Sequence, residues 1–203
     1  MVGDPTSEDV EGAVELTYRR AGLELDDVAH PVDIAEALLG DGCVRAVHAG
    51  ALPGPAALAR FQGRSWIFFR SSLPVARVPW VVAHELGHYV LGLEASEVAC
   101  DAFAGALLAP RRAFMRATRE LGADWSALSR RFGCTESWAA LRWGEVIGEP
   151  LALVAPLTVR VRGELYGWPE EPAEMRALAA TPRPGIARAK LRDDPRRIVL
   201  RTG

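Results

Sequence analysis

The sequence predicts an α+β protein: a small mixed sheet beside a long apolar helix, a second helix packed next to it, and a helical segment after both. Three observations lead there. Pro79, Gly92, Ser96 and Pro110 punctuate two apolar stretches where helices start and stop. The aromatic run Ser65–Ser71 (SWIFFRS) carries the strongest strand signal in the chain. Residues 111–147 then repeat the helix signals with only brief interruptions.

Taken in order, residues 8–21 place Val10, Ala13, Val14 and Ala21 on one face of an amphipathic helix. Pro31 opens a second helix, VDIAEALLG, which Gly40 ends. Residues 43–49 (CVRAVHA) alternate weakly and fit a strand. ALPGPAALARFQGR, with its Gly and Pro punctuation, reads as a loop. The SWIFFRS strand has two readings: an edge strand that pairs with an extended substrate, or a plain core strand. Pro79 suits the first turn of a helix running to about Leu91, with Gly92 as its stop. Ser96 can cap the next, from Glu97 to about Ala109, closed by Pro110.

Asp124 can cap WSALSRRF, Gly133 breaks it, and Thr135 can cap ESWAALRWGEVI. LALVAPLTVRVRGELYGW reads as two short strands. The stretch after it, rich in Pro, Ala and charge, is expected to be loosely packed or partly helical. The expected division is 1–110 as the core, 111–148 as a helical segment, and 149–203 as a short β-containing extension.

With 49% hydrophobic and 25% charged residues, the 203-residue chain can build a core without disulfides. A net charge of -2 gives no whole-chain attraction to nucleic acid or anionic membrane. Eleven acids fall in residues 1–41 and seven bases in residues 181–203, which reads as two solvated surfaces. Cys43, Cys100 and Cys134 are odd in number and widely spaced, which points to a reducing compartment. The acidic N-terminus has no apolar signal-peptide core, and no apolar run reaches spanning length. The expected location is the cytoplasm.

The chemistry concentrates in VVAHELGHYVLG, an HExxH motif. Two residues four apart in a helix share a face about 6 Å apart along the axis. His84 and His88 can therefore bind one Zn2+. Glu85 beside them can reach a water at the metal and act as general base. The apolar flanks Val81, Val82, Ala83, Leu86, Val90 and Leu91 suit a buried helix, and Gly87 leaves room for a neighbouring backbone. The competing reading, a core helix with two satisfied histidines, has to explain why two of only four His flank a Glu at this spacing.

A zinc peptidase needs a third protein ligand. Glu94, Glu97 and Asp101 follow. Glu94 falls in the turn, where a solvated acid is expected. Glu97 and Asp101 are four apart on one helix face. One can bind zinc while the other holds a ligand histidine through its second ring N–H. Glu97 is the preferred ligand and Asp101 its main rival.

At these two motifs the chain resembles the ImmA/IrrE-type metallopeptidases. That family follows HExxH with a Glu-x-x-Ala-Asn/Asp-x-Phe-Ala-x-x-Leu-Leu-x-Pro helix. Here it stands as EVACDAFAGALLAP, Glu97 to Pro110, with Cys100 in place of the usual Ala. PVDIAEALLG, GRSWIFFRS and Arg77 are similar as well, so the resemblance covers residues 10–145. It implies a zincin-like fold, a gluzincin-like site with Glu97 as third zinc ligand, and Asp101 as the acid behind a histidine. It also implies an endopeptidase that cleaves a transcriptional repressor or other regulatory protein, in stress responses or mobile-element control.

Other functions compete with this one. Residues 124–147 form helix, turn and helix, and residues 111–142 carry seven Arg against Glu120, Asp124 and Glu136, a layout that resembles a helix-turn-helix. Trp138, Ala139, Leu141 and Trp143 make its second helix apolar, which favours a packed hairpin over DNA binding. A catalytically silent zinc- or DNA-binding regulator acting by association is the alternative. For stabilising an oxyanion, Tyr89, His48, Tyr166 and several Arg are all candidates.

Overall fold

The computed structural model describes residues 5–149, 151–154, 159–162, 172–180, 186–191 and 198–202. The chain falls into two compact units, Met1–Ala113 and Phe114–Gly203.

In the first unit, α1 (Ser7–Arg20) starts at a capping box. The Thr6 hydroxyl accepts from the Asp9 N–H at 3.2 Å, and the Asp9 carboxylate accepts from the Thr6 N–H at 2.9 Å. Such caps contribute about 1 kcal/mol. The helix buries Val10, Val14 and Tyr18. Helix α2 (Pro31–Leu39) has Pro31 in its first turn and stops at Gly40, whose φ of 98° disfavours other residues.

Three strands follow: β1 (Val44–Val47), β2 (Ala56–Phe61) and β3 (Arg64–Arg70). The sheet order is β1-β3-β2, with β1 parallel and β2 antiparallel to β3, so the sheet is small and mixed as expected. One expectation needs correction. Residues 56–61 are a strand and not part of a loop. They pair residue for residue with β3 across a two-residue turn at Gln62 and Gly63, both at positive φ. Pairing with an aromatic strand overrides the low β-propensity of an alanine-rich segment. Of the two readings of SWIFFRS, the core strand holds: β3 lies at the centre of the sheet, and β1 and β2 are its edges.

Helix α3 (Val78–Leu91) lies against the sheet, and α4 (Glu97–Leu108) packs on α3 and α1. Gly92 ends α3 at φ 107°, and the Ser96 hydroxyl caps α4 by accepting from the Ala99 N–H. Ile34, Ile67, Val82, Leu86, Phe103 and Leu107 form the centre of this unit's core. Gly87 faces α4 at close range: a Cβ there would stand 3.2 Å from Cys100 Cα and 3.3 Å from the Phe103 ring. The Tyr18 hydroxyl donates to the Leu107 carbonyl and ties α1 to α4.

Helix α5 (Arg111–Leu121) leads into the second unit, with α6 (Trp125–Phe132) and α7 (Glu136–Ile147). Asp124 and Thr135 cap α6 and α7, and Gly133 sits between them in the left-handed region, as the sequence predicts. Nine residues of α7 are buried, among them Ala139, Leu141, Arg142 and Trp143, so it is a packed helix. Phe114 meets Phe132 and Trp138, and Trp125 meets Trp143.

The strands expected in 151–168 appear as β4 (Leu151–Val154) and β5 (Val159–Arg162). Beyond them, the partly helical expectation is met by α8 (Pro172–Ala180), and parts of that stretch lie outside the described residues. β6 (Ile186–Lys190) and β7 (Ile198–Thr202) complete a four-stranded antiparallel sheet, β5-β4-β7-β6. Met175 and Ala179 of α8 bury against Ala152, Val154 and Leu200 of that sheet.

Candidate metal centre

The site forms where α3 faces the N-terminus of α4. Helical spacing puts His84 and His88 on one face of α3, their ring centroids 5.1 Å apart. Pro79 in the first turn of α3 and Gly92 at its end fix that helix, and the short turn to Ser96 brings the first residue of α4, Glu97, back over both rings. Glu97 Oε2 lies 3.1 Å from Nε2 of His84, and Oε1 lies 3.5 Å from Nε2 of His88. The histidine side chains are 15% and 16% exposed and that of Glu97 79%, so the carboxylate closes over the rings from the solvent side. One donor atom from each of the three lies within 4.8 Å of the others, and the group can hold a metal ion.

Asp101, one turn after Glu97, holds the far side of the first ring. Its Oδ1 lies 2.9 Å from Nδ1 of His84. A proton on Nδ1, donated to this carboxylate, leaves the lone pair on Nε2, the atom that faces Glu97. The donor chemistry, two imidazoles and one carboxylate, fits a divalent first-row cation. Glu94 lies exposed in the turn and outside the group.

Glu85 points toward the sheet. Its Oε2 accepts the Leu58 backbone N–H at 2.7 Å. Burial pushes its carboxyl above the ordinary value, while the Leu58 bond and the neighbouring histidines pull the other way. That donor comes from β2, the strand that sequence reasoning missed. A backbone N–H carries no side-chain signature, and only recognising a Gln62-Gly63 hairpin turn would have located it. Cys100 is buried behind α3. Burial first, then the charges of Glu97, Glu85 and Asp101, push its thiol up to about 11, so it stays protonated.

A cavity of about 370 Å³ opens in front of the group, lined by residues 53–56, Arg77 and Trp80 together with His84, Glu85, His88, Glu97 and Asp101. Arg70 pins one wall by donating to the carbonyls of Leu52 and Pro53. Of the candidates for stabilising an oxyanion, Arg77 lines this cavity and Tyr89 lines a second one beside His88. His48 instead caps a short 3-10 turn through the Gly50 N–H, and Tyr166 lies outside the described residues. No helix among the described residues is long and apolar enough to cross a membrane.

Residues 51–143 match the family described as the IrrE N-terminal-like domain, a peptidase family. No curated protein matches the chain. Among solved structures, the fold is similar to that of a Mycobacterium tuberculosis transcriptional regulator, with a TM-score of 0.59 at 19% identity. The match covers 89% of this chain and 64% of the regulator, so the chain spans less than two thirds of that protein's length.

Proposed function

The match over residues 51–143 supports the ImmA/IrrE-type family, and from that premise we propose that the chain is a zinc-dependent endopeptidase acting on a regulatory protein such as a transcriptional repressor. The observation that carries this reading is the convergence of His84, His88 and Glu97 beside the half-buried carboxylate of Glu85. His84, His88 and Glu97 would hold the zinc, and Asp101 would orient His84. When bound, zinc supplies Lewis-acid polarisation and makes water a nucleophile at neutral pH.

The remaining steps belong to the chain's own groups. Glu85 takes the proton of the attacking water and passes it to the leaving amine, the task of a general base turned general acid. Burial makes its carboxylate a readier proton acceptor, and the Leu58 N–H holds it in place. Arg77 puts a cation in the cavity where an oxyanion develops.

The free edge of β2 supports a peptide substrate. The Arg70 N–H donates to the Pro55 carbonyl, so alternation turns the backbone groups of Ala56, Leu58 and Arg60 outward, away from β3. The Leu58 bond to Glu85 agrees with that phase. An extended chain can add to such an edge through main-chain hydrogen bonds. Cys43, Cys100 and Cys134, none of them in a disulfide, suit a cytoplasmic setting.

A second reading, a regulator that acts by association, draws on the regulator of similar fold. Burial of α7 weighs against its use as a DNA-reading helix. Glu85→Gln separates the two readings, because it removes the base and no ligand. Under the peptidase reading, purified Glu85→Gln binds zinc and captures its target without cutting it. An unchanged biological output in Glu85→Gln would move the function to association.

A further inference from the structure

We infer that the cavity beside His88 is a substrate subsite that receives a carboxylate, gripped by Arg60 and Arg64, on a peptide strand laid along β2. The inference deepens the peptidase reading and rests on it. The cavity measures about 560 Å³, within the range of ligand pockets. It is distinct from the one in front of the metal group, and the two share His88. Its apolar walls come from Leu38, Leu39 and Leu58, with Tyr89 and Leu93 at its rim, and no acidic residue lines it. Tyr89 and Leu93 are exposed, an apolar lip of the kind that a bound chain covers.

Arg60 is placed by the strand register. Leu58 pairs with Ile67 and Arg60 with Ser65, so Leu58 and Arg60 share the face of the sheet whose centre, Ile67, is buried. Leu58 marks the level of the chemistry, since its N–H holds Glu85. Arg60 stands two residues further on, roughly 6.6 Å along the strand. Arg64, just past the turn, is exposed; it pairs with Phe61 and so starts from the other face of the sheet, beside Trp66, while also lining this cavity at the strand end. Its guanidinium lies 5.4 Å from the Trp66 ring, and a Cβ on Gly40 would stand 2.7 Å from its Nη2. Among the described residues neither arginine is paired with an acid. Two arginines without an acidic partner, lining one cavity with leucine walls, are complementary to a carboxylate on an apolar stem. Such a carboxylate is either a Glu or Asp side chain or the C-terminus of the substrate.

The test uses the full-length, zinc-loaded protein and a synthetic peptide library made with free and with amidated C-termini. Cleavage sites are read by mass spectrometry, and Glu85→Gln is used in parallel to capture peptides from the same library. Acid enrichment is expected at one fixed offset from the cleaved bond, by about 1.5- to fivefold, the range an ion pair of this exposure supports. Enrichment that survives amidation assigns the subsite to a side chain; enrichment lost on amidation assigns it to the terminal carboxylate. Arg60→Glu/Arg64→Glu is expected to shift the preference at that offset to Lys and Arg, and Arg60→Gln/Arg64→Gln to abolish it. No acid preference in cleavage or in capture, or a preference unmoved by both double variants, overturns the inference. Absence of cleavage with an acid preference in capture that the double variants reverse would sink the peptidase reading and leave the subsite standing.

Discussion

Asp101 Oδ1 lies 2.9 Å from Nδ1 of His84, on the opposite ring nitrogen from the one that faces Glu97. The two acids of α4 therefore stand in different relations to one imidazole. Losing an acid that only orients a histidine typically costs 10- to 100-fold in metal affinity or activity, about the range expected for Asp101→Ala. Glu97→Ala should weaken zinc binding more if, as proposed, it removes a ligand. Chelator competition on both variants, with circular dichroism to confirm folding, measures the difference. Loss of zinc in Asp101→Ala with retention in Glu97→Ala would exchange the two roles.

One zinc per chain is expected by metal analysis, and His84→Ala or His88→Ala should lose it. Zinc at a hundred times its dissociation constant should add about 2.7 kcal/mol to the wild type's stability, and nothing comparable to the His84→Ala/His88→Ala double variant. Stoichiometric metal in that double variant would place the site elsewhere.

Glu85 affects stability with a definite sign in the zinc-free protein. Burial raises its folded carboxyl above the unfolded value, so in the window between the two the folded state binds more protons. Stability contributed by this group is then present at low pH and falls as pH rises through the folded value. Zinc-free Glu85→Gln, which keeps an acceptor for the Leu58 N–H, should melt higher than wild type at pH 7. The gap should close on acidification. Equal melting points across the range would mean that the carboxylate is not held under strain by its surroundings.

The Leu58 N–H can be removed without touching a side chain at the metal. Edge strands accept proline where the N–H faces away from the sheet, so Leu58→Pro should leave the protein folded. Its kcat should fall while zinc is retained. Leu58→Ile keeps the donor and should keep most of kcat. Loss of activity in both variants would point to the side chain instead.

Gly87→Ala forces a methyl into the α3–α4 contact, where its nearest neighbours stand at 3.2–3.3 Å. Overpacking of this kind costs roughly 1–3 kcal/mol. The helix bearing both histidines would move against the helix bearing Glu97, so zinc affinity and melting temperature should fall together. A melting-temperature loss with unchanged zinc affinity would show that the strain relaxes away from the site.

The metal-side residues were legible because helical rules are local. Pro79, Gly92 and the Ser96 cap bound two helices, and periodicity then puts His84 and His88 together with Glu97 one short turn away. Gly87 was legible for the same reason, as a missing side chain on the buried face. The β2 strand was hidden because Ala56, Ala57 and Ala59 lack strand propensity and follow a Pro-Gly-Pro run that reads as loop. Its identity as a strand depends on β3, a non-local partner. The donor to Glu85 and the outward edge went unseen with it. Strands β6 and β7 were hidden similarly, since Pro, Arg and Asp surround short apolar runs whose partners lie far along the chain.

The turn between α3 and α4 places His84, Glu85, His88, Glu97 and Asp101 within residues 84–101. Bringing the ends of so short a loop together costs little chain entropy, and that cost rises by only about 0.6 kcal/mol per doubling of loop length. The ligands can therefore gather in a chain that has not yet acquired its sheet. Zinc would then bind the unfolded ensemble to some extent, which lowers the stabilisation measured at equilibrium. The same encounter would set the register of two helices before β2 arrives with its donor. Refolding should accordingly be faster with zinc present than absent, with the helical hairpin protected from hydrogen exchange before the strands.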